Sequence, residues 1–187
     1  MNRAPTTHKT LDPKQLGARC KRCPFAEHGM PDHPVLGEGP LDAVGVLVGE
    51  GPGRDEETRG RPFVGATGQR LDDALRNCGL PRSTVFIVNA TCCRPPPSKT
   101  HAMLKTATDC CRPALIAQLR RLNTDHFLAM GKWACYSLTG SVKGLKNKRG
   151  FVREFSLEVT EAVEGKIHEQ ILRRIAKKKG ARKSGVR

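Results

Sequence analysis

The loop at residues 48–65, VGEGPGRDEETRGRPFVG, places glycines and carboxylates directly after an apolar run that predicts a buried strand. A glycine-rich loop after a strand commonly cradles phosphate. This loop instead carries four acids in a chain of formal net charge +15, namely Glu50, Asp55, Glu56 and Glu57. For Glu50 and Glu56, a helix cap or an exposed charged surface is the alternative to a chemical role.

The cysteines have the spacing of a metal site. Cys20 and Cys23 form a C-x2-C pair, and the doublets Cys92–Cys93 and Cys110–Cys111 follow later in the chain. A C-x2-C pair with two further thiolates makes a four-sulfur site that suits zinc or an iron–sulfur cluster, and spacing does not separate the two metals.

Not all eight cysteines are expected to be ligands. Neighbouring side chains on an extended chain point apart, so we expect one ligand from each doublet. Cys78 and Cys135 lie at helical spacing among apolar residues, and we expect them to be buried as small hydrophobic side chains.

The charge balance predicts a polyanionic partner. The chain has 33 Lys and Arg against 18 Asp and Glu, which favours nucleic acid over a merely soluble basic surface. The N-terminal residues, MNRAPTTHKTLDPKQLGARC, lack the apolar segment of a signal peptide, and no apolar run reaches membrane-spanning length. We therefore expect no membrane partner and a cytoplasmic, nucleoid-associated location.

Strands and helices alternate along the chain. Apolar, β-branched runs predict strands at 43–48, 84–88, 127–130 and 152–159. Helical spacing predicts helices at 66–78, from about 101 to 122 with a break at Pro113, at 132–138 and at 165–178. The alternation predicts an α/β fold with a central, mainly parallel four-stranded sheet and helices on both faces. We assign 1–18 to a disordered leader, 19–176 to the domain and 177–187 to a disordered basic tail.

In such a sheet, ligands bind beyond the carboxyl ends of the strands. The acidic loop, the turn that begins at Asn89 and the turn at Gly131 all leave from those ends. The sequence therefore predicts a binding site where these three connections meet.

Five stretches carry a family resemblance: CKRCP, VGEGPGRDEETRGRPFVGATGQRLD, VFIVNATCCRPP, CRPALIAQL and AMGKWA. In this order, over roughly residues 18–150, the chain resembles the family-four uracil-DNA glycosylases, which carry a 4Fe–4S cluster. The resemblance implies a three-layer α/β/α fold and the excision of uracil from DNA, with uracil-containing DNA as the partner. We expect the protein to be a monomer.

The resemblance also implies roles for individual residues. The cluster ligands would be Cys20, Cys23, Cys93 and Cys111, with zinc as the alternative in the same site. The catalytic acids would come from Glu50, Asp55 and Glu56, with Glu56 preferred over Glu50 as the acid that positions water. The uracil pocket would contain Gly51, Phe63 and Asn89.

These roles explain the acidic loop. Cleavage of an N-glycosidic bond develops positive charge on the sugar, and carboxylates stabilise that charge or activate water. Glycines allow the backbone to approach a flipped base closely. Phe63 could alternatively be a core residue, and Asn89 a turn former.

The C-terminal part matches less well. The family's late His-Pro-x-x-Leu-Leu-Arg loop has its nearest counterpart in His168, which is followed by Glu169, and in Leu172, Arg173 and Arg174. In the family, the His stabilises the departing uracil anion and the Leu or Arg enters the DNA stack. His168 could equally be an ordinary residue of an exposed basic helix. A non-catalytic DNA-binding module with the same scaffold is therefore the alternative function.

Overall fold

Three parallel strands form the centre of the computed structural model, which describes residues 12–28 and 34–141. Strand β1 (Gly45–Gly49) lies between β2 (Val85–Asn89) and β3 (Phe127–Ala129). Every residue of β2 is buried, which is typical of a parallel strand covered on both faces. The predicted strand at 152–159 lies outside the described residues.

Helices cover both faces of this sheet. They are α1 (Arg54–Arg59), α2 (Ala66–Asn77), α3 (His101–Leu119) and α4 (Lys132–Thr139), with short 3-10 helices at Cys20–Arg22, Pro24–His28 and Arg82–Thr84.

Alternation along the strands sorts the core into two layers, because successive side chains of a strand point to opposite faces. Val46 and Val48 of β1 pack with Leu115 and Leu119 of α3. Leu47, between them in the chain, packs on the other face with α2. The predicted three-layer α/β/α fold is therefore confirmed.

The predicted break at Pro113 is wrong, because α3 continues through that proline to Leu119. A proline inside a helix removes one backbone hydrogen bond and destabilises the helix by about 3 kcal/mol. Buried residues on both sides of Pro113, including Cys111, Ala114 and Leu115, anchor the helix against this penalty.

The expectation for Cys78 and Cys135 is also wrong. Cys78 is exposed, because it follows the last residue of α2 and ends that helix. Cys135 is only partly buried, and its sulfur lies 3.9 Å from the Thr139 hydroxyl near the exposed end of α4.

Part of the segment that we assigned to the leader is folded against the domain. Residues 12–18 form hydrogen-bonded turns, and the N–H of the following residue, Arg19, donates to the Cys110 carbonyl at 2.9 Å. These turns bring the C-x2-C pair to α3. No helix among residues 12–28 and 34–141 has the length and apolar character needed to cross a membrane.

Candidate active site

Asn89 and Phe63 meet where β1 and β2 end. Gly49 and Asn89 are partners in the parallel register of these strands. A Cβ on Gly49 would overlap both the side-chain oxygen Oδ1 of Asn89 and the Phe63 ring. The amide and the ring therefore pack directly over a backbone position that only glycine can occupy without rearrangement.

The Asn89 side chain presents an unsatisfied acceptor. Asn89 is only 4% exposed, and its Oδ1 atom is buried with no hydrogen-bond partner among the described residues. Buried polar atoms are nearly always paired, and an orphan disfavours folding by about 1–3 kcal/mol. The arrangement suits a ligand that supplies an N–H to this oxygen.

The Glu56 carboxylate accepts hydrogen bonds from the backbone of its own loop. Its Oε1 accepts hydrogen bonds from the N–H groups of Val64 and Gly65, both at 2.9 Å. Its Oε2 accepts from the N–H of Gly53, at 3.0 Å, at the start of α1. The carboxylate thus ties the two ends of the acidic loop together, which is the helix-cap alternative that the sequence left open.

These contacts set the charge state of Glu56. Burial raises the pKa of its carboxyl, but the backbone N–H donors outweigh burial and lower the pKa below its ordinary value of 4.5. Glu56 is therefore ionised at neutral pH, and both of its oxygens already accept hydrogen bonds.

Glu50 is the acid of the loop that lies at the strand end. It follows Gly49 directly, is partly exposed, and has an Oε1 atom 3.6 Å from the Lys99 ammonium. The next acids differ from it, because Asp55 is exposed on α1 and Glu57 pairs with Arg94 at 2.9 Å. The structure thus separates the acids by environment.

The cysteines converge beside this site. One cavity is lined by Cys20, Cys23, Cys93, Cys110 and Cys111, together with Ala18, Phe25 and Ala26. The four predicted ligands therefore line a common cavity. Cys110 also lines it, because the second doublet lies in α3 and not on an extended chain. The reason that we gave for excluding one member of that doublet is therefore wrong.

The thiols in this cavity are chemically distinct. Burial raises the pKa of Cys23 to about 11 and that of Cys93 to about 12. A hydrogen bond from the Cys92 side chain lowers the pKa of Cys111 below its ordinary value, although burial acts in the opposite direction. Cys92, which does not line the cavity, thus contacts one of the predicted ligands.

Thr91 connects the cysteine cavity to the pocket. Its buried hydroxyl lies within hydrogen-bond distance of the carbonyl oxygens of Glu50, at 3.3 Å, and Cys93, at 3.2 Å. Its N–H donates to the same Glu50 carbonyl at 3.1 Å. The turn after β2 therefore fixes the acidic loop and one cavity cysteine through a single residue.

Gly51, another predicted pocket residue, packs against this turn. A Cβ at residue 51 would lie 3.3 Å from the Pro95 side chain and closer still to the Thr91 hydroxyl. The glycine is needed where the acidic loop crosses the turn. The predicted residues His168, Leu172, Arg173 and Arg174 lie outside the described part of the chain.

Sequence reasoning missed Thr91, Arg94 and Arg82. Arg94 follows a predicted ligand and has the opposite charge to the acidic loop, so its pairing with that loop could have been anticipated. Arg82 contacts the Pro62 and Phe63 carbonyls, but no spacing rule connects it to residues nineteen or twenty positions earlier. Its role depends on the tertiary structure.

The fold and this site define a three-layer α/β protein in which a buried, unpaired side-chain amide oxygen lies beside an aromatic ring at the ends of two parallel strands. The chain belongs to the uracil DNA glycosylase superfamily, whose family model matches residues 36–176.

Curated relatives of this chain have a more specific name. The type-4 uracil-DNA glycosylase of Thermotoga maritima is 41% identical over 116 residues, which are 62% of this chain and 58% of the relative. That of Pyrobaculum aerophilum is 39% identical over 117 residues, 63% and 58% of the two chains. That of Archaeoglobus fulgidus is 36% identical over 115 residues, which are 62% of this chain and 56% of the relative. These matches span less than two thirds of each relative's length, and they confirm the resemblance found in the sequence.

The hydrogen bonds of Glu56 predict a stability effect. Glu56→Gln should lower the free energy of unfolding at pH 7 by about 1–3 kcal/mol, because an amide nitrogen replaces an oxygen that accepts from the backbone. The native pKa lies below that of the unfolded chain, so this stabilisation is complete above about pH 4.5 and is lost as the pH falls through the native pKa. Urea unfolding at several pH values measures both effects.

Asp55→Asn is the matched control, since Asp55 is an exposed acid one position earlier on α1. It should unfold like the wild type at pH 7. Equal stability of the Glu56→Gln variant and the wild type would contradict the structural role of Glu56.

Proposed function

We propose that this protein hydrolyses the N-glycosidic bond between uracil and deoxyribose in DNA and leaves an abasic site. The observation that carries the proposal is the buried, unpaired Oδ1 atom of Asn89 beside the Phe63 ring. Membership of the superfamily and the names of the type-4 relatives support it.

The side-chain amide of Asn89 would recognise the base. A base inside a duplex is inaccessible, so the uracil must first be flipped out of the stack. Asn89 Oδ1 then accepts from N3–H of uracil, and the amide N–H group donates to O4. Cytosine presents the reverse pattern on this edge, an acceptor at N3 and a donor at N4, so the same amide disfavours it. Phe63 stacks on the face of the base.

Glu50 would act at the sugar carbon. Positive charge develops on the sugar carbon as the bond to uracil breaks, and a nearby carboxylate stabilises that charge or positions the attacking water. We assign this role to Glu50, because Glu56 is held by three backbone N–H groups. This reverses the preference for Glu56 that the sequence suggested.

The C-terminal roles rest on the family resemblance. His168 would stabilise the uracil anion as it leaves, and Leu172, Arg173 and Arg174 would contact DNA. The net charge of +15 supports the attraction to a DNA backbone. We propose that the protein acts as a monomer on the DNA of the nucleoid.

The cysteine cavity would hold a 4Fe–4S cluster on Cys20, Cys23, Cys93 and Cys111. Five thiols lining one cavity fit the sulfur ligands that such a cluster requires. No three His, Cys, Asp or Glu side chains in the described ranges are arranged to hold a single ion, which gives zinc no support. Bound there, the cluster would cross-link the C-x2-C segment, the turn after β2 and α3, and would so stabilise the fold.

The direct test is incubation of the purified protein with a labelled duplex that contains one uracil, followed by alkali. Strand breakage at the uracil position, absent from the matching duplex with thymine, is the expected result, because alkali cleaves an abasic site. Binding of the duplex without breakage would contradict the proposed function and indicate a non-catalytic module.

The roles of Glu50 and Asn89 predict different defects. Glu50→Gln should lower the single-turnover excision rate on the order of 100-fold or more and leave binding of uracil-containing DNA nearly unchanged, since it removes charge stabilisation from the transition state. Asn89→Asp should instead reduce discrimination between uracil and cytosine, because a carboxylate cannot donate to O4.

Single-turnover kinetics on uracil-containing and cytosine-only duplexes measure both defects. Asp73→Asn is the control, because Asp73 is an exposed acid of α2 that pairs with Arg76 outside the pocket. Wild-type rates and selectivity in both variants would place the pocket elsewhere.

The cluster assignment predicts that Cys20→Ala and Cys23→Ala lose iron and unfold at a lower temperature than the wild type. Metal binding contributes to folding when its ligands come from distant segments. Iron per chain and thermal unfolding of anaerobically purified protein are the measurements. Cys78→Ala should match the wild type, because Cys78 is exposed at the end of α2. A colourless wild-type protein with stoichiometric zinc would contradict the cluster.

A further inference from the structure

Phe63 has an unusual backbone conformation. Its φ of +52° makes it the one non-glycine residue in the described ranges with a positive φ. Bulky residues rarely adopt this left-handed region, and such strain persists only when surrounding contacts enforce it. The direction of the Phe63 ring therefore depends on what holds the backbone at residues 62–63.

Arg82 holds that backbone from one side. Its guanidinium donates to the Pro62 carbonyl at 2.7 Å and to the Phe63 carbonyl at 3.0 Å. On another side, α2 closes on the same peptide, because a Cβ on Gly68 would overlap the Phe63 carbonyl. The carbonyl groups of two consecutive residues are thus fixed, and the Phe63 ring is directed toward Gly49.

Arg82 is itself held in place by two acids. It donates to Asp72 at 2.8 Å and to Glu38 at 3.1 Å. The four acceptors suit the planar, five-donor guanidinium, and the single ammonium of a lysine could not reach all of them. The Arg82 side chain is 24% exposed, so these contacts are partly shielded from water.

Glu38 extends the network to the loop and to the sheet. Its carboxylate also accepts from the Arg61 side chain, at 2.8 and 3.1 Å, and its backbone exchanges two hydrogen bonds with Ile87 of β2. Burial raises the pKa of Glu38, but hydrogen bonds from Arg61 and Arg82 outweigh burial and lower it. The carboxylate is therefore charged at neutral pH and joins residues 61–63 to β2.

We propose that Arg82 is a positioning residue that holds Phe63 in its left-handed conformation, so that the ring is oriented for stacking on the flipped base. The inference rests on the proposed function, because the ring has a stacking task only if the pocket takes a base. Arg82 does not touch the substrate and acts through the Pro62 and Phe63 carbonyls.

A double-mutant cycle tests this role. Arg82→Ala should lower kcat/KM for excision of uracil about tenfold, the usual scale of coupling between contacting residues. In a Phe63→Ala background the same substitution should have little further effect, since no ring remains to be oriented. Equal fold-losses in both backgrounds would overturn the inference, because they would indicate general destabilisation.

Arg76→Ala is the matched control. Arg76 lies in the last turn of α2 and pairs with Asp73 at 2.8 Å, but its side chain is 74% exposed. It should retain the wild-type kcat/KM. Arg82→Lys, which keeps the charge but not the planar donors, provides a milder variant if Arg82→Ala does not fold, and it should show the same coupling to Phe63.

An NMR measurement of ring orientation is independent of activity. The chain has six Phe residues, and the signal of the Phe63 ring is identified by its absence from Phe63→Ala. Arg82→Lys should shift this signal, and Arg76→Ala should leave it in place. An unmoved signal in Arg82→Lys would overturn the inference even if uracil is excised. A wild-type protein that does not excise uracil would instead overturn the proposed function, which separates the two failures.

Discussion

The side-chain oxygen Oδ1 of Asn89 is a buried acceptor that no donor in the described ranges satisfies. β2 ends at this residue, the parallel register sets Gly49 beside it, and the Phe63 ring lies over the same glycine. An orphaned acceptor disfavours folding by about 1–3 kcal/mol. The remaining core must offset that penalty, and a ligand N–H recovers it on binding. This recovery is a physical source of selectivity, since a base without that N–H leaves the oxygen unpaired.

The acidic loop divides its carboxylates between structure and chemistry. Glu56 closes the loop through three backbone N–H groups, and Glu57 pairs with Arg94 beside the cysteine cavity. Glu50 is left partly exposed at the strand end. A strongly basic protein can therefore attract a phosphate backbone and still keep one negative charge where a sugar cation would form. Glu56 and Glu57, which follow Glu50 in the sequence, hold the loop that presents it.

The sequence predicted what depends on local patterns and missed what depends on tertiary contacts. Apolar runs located the three strands, and the alternation of strands with helices predicted a site at the carboxyl ends of a parallel sheet. The continuation of α3 through Pro113 could not be foreseen, because burial on both sides of the proline decides it. The backbone donors of Glu56 lie up to nine residues away, and Arg82 acts across about twenty. Local spacing contains no signal for such contacts.

The central claim is that Asn89 Oδ1 accepts a hydrogen bond from the N3–H group of uracil. A crystal structure of the protein with free uracil tests this claim most directly. The decisive quantity is the distance between Asn89 Oδ1 and uracil N3. The claim predicts about 2.7–3.2 Å, a hydrogen-bond length, with the Phe63 ring parallel to the base. Uracil bound at another place, or in this pocket with its N3 directed away from Asn89, would contradict it.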